Sequence, residues 1–404
     1  MKKIVSFALC GMVCMTAGAQ KANVDQAKKL IGKTEKIEEA RALIQQAMEN
    51  PETADKALTY YTAGKIEWDA FDKDKMALTI NPNNDKINPD EMGNMLINGY
   101  NYFVKMLPLD QLPNEKGQVK PAYTKEVLKK MREKTNDFFD AGAGFFNTKK
   151  YYPEAYDAFM IFGDMPDQPF FGENGQAPVV ADTVRATAYF NAGLAAWSGN
   201  KVPEASVAFR KARLNNYTGP EAYIYEIACW QNMSQNDSTM VDEAKDKIYE
   251  VAKSGFERYG MAQPIFLNNM INSMINSNQG PQALAEVDDA IAKYPDNANL
   301  YGLRGFINDR LGNEADSESD YRKAAAMPDV DFETLKNASR KIFRLGQTKW
   351  NDMEPGDTAT KQMLKTDYFE AAKTMAEKAK ELNPKDSDVD YILDNINYTL
   401  ETYF

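Results

Sequence analysis

The chain has 404 residues, 43% of them apolar, enough for roughly two or three domains and a sizeable core. It carries 48 Lys plus Arg against 59 Asp plus Glu, a net charge of −11, and no histidine. That excludes a Ser-His-Asp triad, a Cys-His pair and any His-ligated metal site, and the acidic balance argues against nucleic acid or anionic lipid as the main partner.

Residues 1–19 read as a secretory leader. Lys2 and Lys3 precede a short apolar run from Ile4 to Met15, and Ala17-Gly18-Ala19 is an A-x-A cleavage site with Gln20 as the first mature residue. The run is too short and wrongly flanked for a membrane span. Cys10 and Cys14 lie inside it without a lipobox before either, so no lipid anchor is expected. Loss of Lys2 and Lys3 with the leader takes the net charge from −11 to −13. It also leaves Cys229 as the single thiol, in the apolar run Ile227-Ala228-Cys229-Trp230, where a buried, inert side chain is expected. No later stretch of 18 apolar residues occurs, so the mature chain is expected to lack a transmembrane segment and to reside in the periplasm or cell envelope.

Residues 20–120 predict divergent helical hairpins. Ala40, Leu43, Ile44 and Ala47 share one helix face, and Glu52 to Phe71 carries a second stripe ending in Trp68 and Phe71. Asn88-Pro89-Asp90-Glu91 is a strong helix start, with an Asn cap, Pro at the first position and acids facing the positive helix end. It launches a helix bearing Met92, Leu96, Phe103 and Leu107.

Residues 121–386 repeat a pattern. Ala155, Phe159; Ala205, Phe209, Ala212; Ala283, Val287, Ala290; and Ala372, Ala376, Ala379 each mark one helix face, and Pro295 and Pro384 follow two of these as stops. A second helical stretch stands upstream, as in Tyr189 to Trp197 before the turn Ser198-Gly199-Asn200-Lys201. Small Ala192 and Gly193 on it admit a close partner, so each unit reads as an αα-hairpin. Residues 387–404 form a closing helix with Val389, Ile392, Ile396 and Leu400 on one face, the cap a stack of repeats needs.

This pattern resembles the tetratricopeptide repeat (TPR) family, carried here by Tyr189, Ala192, Gly193, Ala205, Phe209 and Ala212, by Leu267, Met270, Ala283, Ala290 and Pro295, by Tyr301, Gly305, Tyr321 and Ala324, and by Phe139, Ala143, Phe146, Ala155 and Phe159. Ala283 to Ser317 keeps the family's 34-residue register; Ala155 to Ala205, Ala205 to Ala244 and Ser317 to Ala372 are stretched. The resemblance implies an all-α, right-handed superhelical solenoid of stacked αα-hairpins whose concave groove binds peptides or proteins.

In that family the first helix of each hairpin lines the groove. Asn268, Asn272 and Asn276 fall at i, i+4 and i+8, a single polar ridge; Lys336, Arg340 and Arg344 form a cationic ridge by the same spacing, with Asn299, Asp309 and Arg310 between them. Amides and guanidinium forks suit the carboxylates and backbone amides of an extended peptide, although the residues do not match the family's carboxylate clamp position by position. The alternative is a solvated face with Glu333 and Asp331 pairing the basic residues. The loop from Gly163 to Asp182 offers Phe170 and Phe171 either as a contact point or as cover for a neighbouring hairpin; Asp72–Asn88, Pro108–Pro121 and Trp350–Thr366 are further loops. Thr183, Ser238 and Thr358 stand in acidic–hydroxyl–apolar triplets resembling acceptors of some Gram-negative O-glycosylation systems, but Asp-Thr and Asp-Ser are also good helix starts.

The reading is an exported, non-catalytic scaffold for a protein or peptide partner, with no cofactor, no metal and no nucleic acid. Two rivals stand beside it, an outer-membrane-associated glycan-binding protein and an all-α carbohydrate-active enzyme with paired carboxylates.

Overall fold

The computed structural model describes residues 17–172 and 176–404. Lys2, Lys3, the run from Ile4 to Met15 with Cys10 and Cys14, and Gly175 lie outside the described residues. Among the described residues every regular element is helical and no strand occurs, the all-α class that the periodicity predicts. The chain divides into two compact units between Asn236 and Asp237.

The first unit holds α1 (Ala17–Leu30), α2 (Ile37–Glu49), α3 (Ala57–Ile80), α4 (Pro89–Asp110), α5 (Thr124–Glu133), α6 (Thr135–Thr148), α7 (Tyr152–Asp164), α8 (Asp182–Ser198), α9 (Val202–Leu214) and α10 (Glu221–Asn236). Most of these helices pack chiefly on a neighbour in the chain, the arrangement of stacked αα-hairpins, and α4 packs on α6 past the short α5. α4 begins at the Asn88 cap, whose side-chain oxygen accepts the Asp90 N–H at 3.0 Å, with Pro89 in the first turn. α3 runs on past Phe71 to Ile80, where the sequence reads as loop. The charged stretch after Phe71 is the outer face of that helix. Lys75 pairs with Asp137, Lys73 reaches the Gly32 carbonyl and the Thr34 hydroxyl, and Leu78 packs against the core.

Two details show what holds the hairpins. A Cβ built on Gly142 of α6 would lie 2.8 Å from the Phe159 ring of α7, and one on Gly193 of α8 would lie 2.5 Å from the Phe209 ring of α9. Only glycine lets the first backbone settle onto the ring of the second helix, and both rings are buried. The loop between α4 and α5 is tied down by Asp110, whose carboxylate accepts the N–H groups of Ala122, Tyr123 and Thr124 and the Thr124 hydroxyl at 2.8–3.0 Å. Burial alone would raise the Asp110 pKa, but these bonds outweigh it and hold the carboxyl below its ordinary value.

The second unit holds α11 (Val241–Tyr259), α12 (Pro264–Asn276), α13 (Gly280–Lys293), α14 (Ala298–Leu311), α15 (Glu314–Ala326), α16 (Phe332–Asn351), α17 (Thr358–Met363), α18 (Ala371–Leu382) and α19 (Ser387–Tyr403). A π-helical stretch, Leu364–Glu370, joins α17 to α18, so much of the expected loop from Trp350 to Thr366 is helix. The α14–α15 hairpin is locked by a polar knot. Arg304 forks onto Asp320 at 2.6 and 3.0 Å and reaches Asp288 at 2.8 Å, Asn308 donates to Asp320 at 3.1 Å, and the Ser317 hydroxyl donates to the Gly305 carbonyl at 2.9 Å. α19 buries Val389, Ile392 and Ile396, the face expected of a closing helix.

Candidate functional site

α12, α14 and α16 lie in the second unit, where α12 packs chiefly on α11 and α14 on α15. α14 and α16 run in the same direction. Near their starts the Asn299 side-chain oxygen accepts the Asp331 N–H at 2.9 Å, and near their ends Asp309 accepts from Lys341 at 2.6 Å and Arg344 at 2.8 Å. Gly302 is required at their crossing, because a Cβ there would meet Thr334 at 2.4 Å.

A groove of about 330 Å³ follows these three helices, lined by Asn268 and Asn272 of α12, Asn299, Leu303 and Phe306 of α14, and Asp331, Glu333 and Asn337 at the start of α16, with Leu267 and Leu300 beneath. Leu267 and Leu300 are buried, so the floor is apolar; Asn268 and Asn272 are exposed. Asn268, Asn272 and Asn337 make no side-chain hydrogen bond to any described residue. The walls therefore offer amide donors and acceptors over an apolar floor, the combination that holds an extended backbone.

The expected residues fall as follows. Asn268 and Asn272 line the groove, and Asn276, also exposed, ends α12 outside the lining. Asp309 is half-buried and pairs within the unit; burial would raise its pKa, but Lys341 and Arg344 hold it below the ordinary value. Arg310 is exposed and stacks over Phe306 with 5.3 Å to the ring centroid. Lys336 is buried: it lies over the Phe332 ring and pairs with Glu333 at 3.1 Å and Asp386 at 3.5 Å. Arg340 approaches Asp388 at 3.6 Å, and Arg344 pairs with Asp309. The i, i+4, i+8 row on α16 is thus neutralised within the unit, by Asp309 on one side and by Asp386 and Asp388 of the closing helix and its cap on the other. Asn337, one residue from that row, reaches the groove instead.

Phe170 and Phe171 form a short 3-10 turn and fold onto the core of the first unit, Phe171 buried and Phe170 half-buried. They wall an apolar cavity with Leu107 of α4 and Leu128 of α5. A third, polar hollow between α2 and α4 has its charges engaged with one another: Arg41 bonds Glu38, Glu67 and Glu91 at 2.6–2.8 Å. Thr183, Ser238 and Thr358 are exposed at helix starts, where Asp237 and Asp357 accept the N–H groups of Thr239 and Thr360 as caps. Cys229 is buried, its thiol pushed up to about 12 by burial and then by Glu226. Among the described residues no group of three or more Cys, Asp or Glu side chains is placed to hold a metal ion, and no helix is long and apolar enough to cross a membrane.

No family model and no curated protein matches the chain. Among solved structures it is similar to a thermophilic TPR protein of Thermus thermophilus, at 16% identity over 53% of this chain and 99% of that one, with a TM-score of 0.35. A TPR repeats protein of Bacteroides fragilis follows at 16% identity, 66% and 98% coverage and a TM-score of 0.32. Yeast Tom70 is similar at 13% identity, 95% and 89% coverage and a TM-score of 0.30.

Proposed function

We propose that the chain is an exported helical-repeat scaffold that holds an extended peptide segment of a partner protein along α12, α14 and α16. The observation that carries this reading is the row of unengaged amides, Asn268, Asn272 and Asn337, over a floor of Leu267, Leu300, Leu303 and Phe306. A bound strand leaves backbone N–H and C=O groups every residue, and side-chain amides are the neutral groups that satisfy both. The test is a peptide-binding measurement on the double variant Asn268→Ala/Asn272→Ala. At roughly 0.5–1.5 kcal/mol per hydrogen bond, affinity falls about five- to hundredfold. Undiminished binding with unchanged melting temperature rejects the groove.

Export is supported by Lys2, Lys3, the apolar run and the Ala17-Gly18-Ala19 site. Cleavage after Ala19 is compatible with folding, since Val24 and Ala27, which place α1 in the core, lie beyond it. Terminal sequencing of the protein recovered from the periplasm is expected to start at Gln20; a chain retained in the cytoplasm with its leader intact refutes export.

A further inference from the structure

In the first unit a cavity of about 840 Å³ opens between α4, α5 and the turn Pro169–Phe171, within the roughly 300–1,000 Å³ typical of ligand pockets. Val104 and Leu107 of α4, Leu128 of α5, Phe170 and Phe171 form its walls. Pro108, Pro121 and Pro169 also line it and bring no N–H group. The walls are pinned in place. Asp110 ties down the loop before α5, and Arg132 bonds the carbonyl and side-chain oxygens of Gln176, each at 2.7 Å. Gln111 in the lining donates to the Thr124 hydroxyl at 3.0 Å, and that hydroxyl donates to Asp110.

Lys125 differs from these. It lines the cavity, and its ammonium makes no hydrogen bond or ion pair with any described residue. Its surroundings are basic as well. Residues 111–132 carry six Lys or Arg against two Glu, in a chain of net charge −11. Of those two, Glu126 is engaged with Tyr61 and Lys65.

We infer that this cavity takes a small anionic amphiphile, a free alkyl carboxylate of medium length, with the chain among Leu107, Leu128 and Phe170 and the carboxylate on Lys125. A peptide backbone finds few partners here, because the prolines lack N–H groups and Gln111 and Thr124 are engaged with each other. A cationic head meets like charge. The two ends of the ligand act differently. Each methylene withdrawn from water tightens binding about fourfold, whereas an exposed ammonium–carboxylate pair contributes about fivefold at most. The chain gives the affinity and Lys125 selects the head.

The experiment is calorimetric titration of the chain from Gln20 with hexanoate, decanoate and decanol at pH 7. Decanoate is expected to bind at least about tenfold more tightly than hexanoate. Lys125→Glu should weaken decanoate about fivefold and leave decanol unchanged. Val104→Trp, which fills the cavity from a half-buried position on α4, should abolish uptake of both. Phe170→Asp, on the half-buried turn, serves as a second block should Val104→Trp lower the melting temperature. No uptake of decanoate by the unsubstituted chain, uptake indifferent to both blocks, or a Lys125→Glu effect shared equally by decanol overturns the site. Retention on phosphatidylglycerol vesicles without uptake of free decanoate assigns the basic segment to a membrane surface and overturns it as well. The peptide groove of the second unit stands or falls separately.

Discussion

The same substitution should have unequal effects at two glycines of one helix. Gly142 and Gly144 both lie in α6, but a Cβ on Gly142 would stand 2.8–2.9 Å from three atoms of the Phe159 ring, whereas one on Gly144 meets nothing within 4 Å. Phe159 is 2% exposed and packs edge-on against Phe139, with ring centroids 5.4 Å apart, so it has little room to retreat. Replacing a helical glycine by alanine gains about 1 kcal/mol from backbone propensity at either position. At Gly142 that gain opposes an overpacking cost of about 1–3 kcal/mol. Gly144→Ala is therefore expected to stabilise by up to about 1 kcal/mol, and Gly142→Ala to be neutral or lose up to about 2 kcal/mol. The propensity contribution is common to both, so the difference between them isolates the packing cost. Calorimetry should separate the two melting temperatures by at least about 2 °C, at roughly 2–4 °C per kcal/mol for a unit of this size. Equal shifts in the same direction would refute the claim that the ring of the second helix seats on the bare backbone of the first.

Arg213 and Glu226 form a buried pair at 2.8 Å, their side chains 6% and 2% exposed. Arg213→Met alone should cost about 3–5 kcal/mol in urea unfolding, and Arg213→Met/Glu226→Leu should recover most of it; a double variant no better than the single sinks this. Asp110 stabilises through a lowered carboxyl pKa. Its contribution should be full above the ordinary value of 3.8 and fade as pH drops through the lower folded value, so the gap between wild type and Asp110→Ala should be wide at pH 6 and shrink progressively as pH falls below 3.8. In the chain from Gln20, Cys229 should resist Ellman's reagent at pH 8 until denaturant is added, because its thiol is held near 12; prompt native labelling contradicts its burial. Lys336→Met should lower the melting temperature of the second unit and leave peptide capture intact; loss of capture without loss of stability would return that lysine to the binding surface.

The hairpins were legible because their determinants are local. Gly193 and Phe209 sit within one hairpin, and the Asn88-Pro89 cap lies within a single turn, so periodicity and capping rules suffice to place them. The end of α3 was not legible, because the charges following Phe71 find Gly32, Thr34 and Asp137, contacts far along the chain. The site was half legible for the same reason. Asn268 and Asn272 project from one helix at a readable spacing, but the state of Lys336 depends on Asp386, fifty residues on. Asn337 sits one position off the cationic row, and no pattern within α16 distinguishes it from the solvated face.

Because within each unit most helices lean chiefly on a neighbour in the chain, neither unit has a central keystone. Injury at one hairpin should stay local. Lineages of such a chain are free to lengthen or shorten by whole helix pairs, provided an ending like α19 remains to shield the last oily face from water.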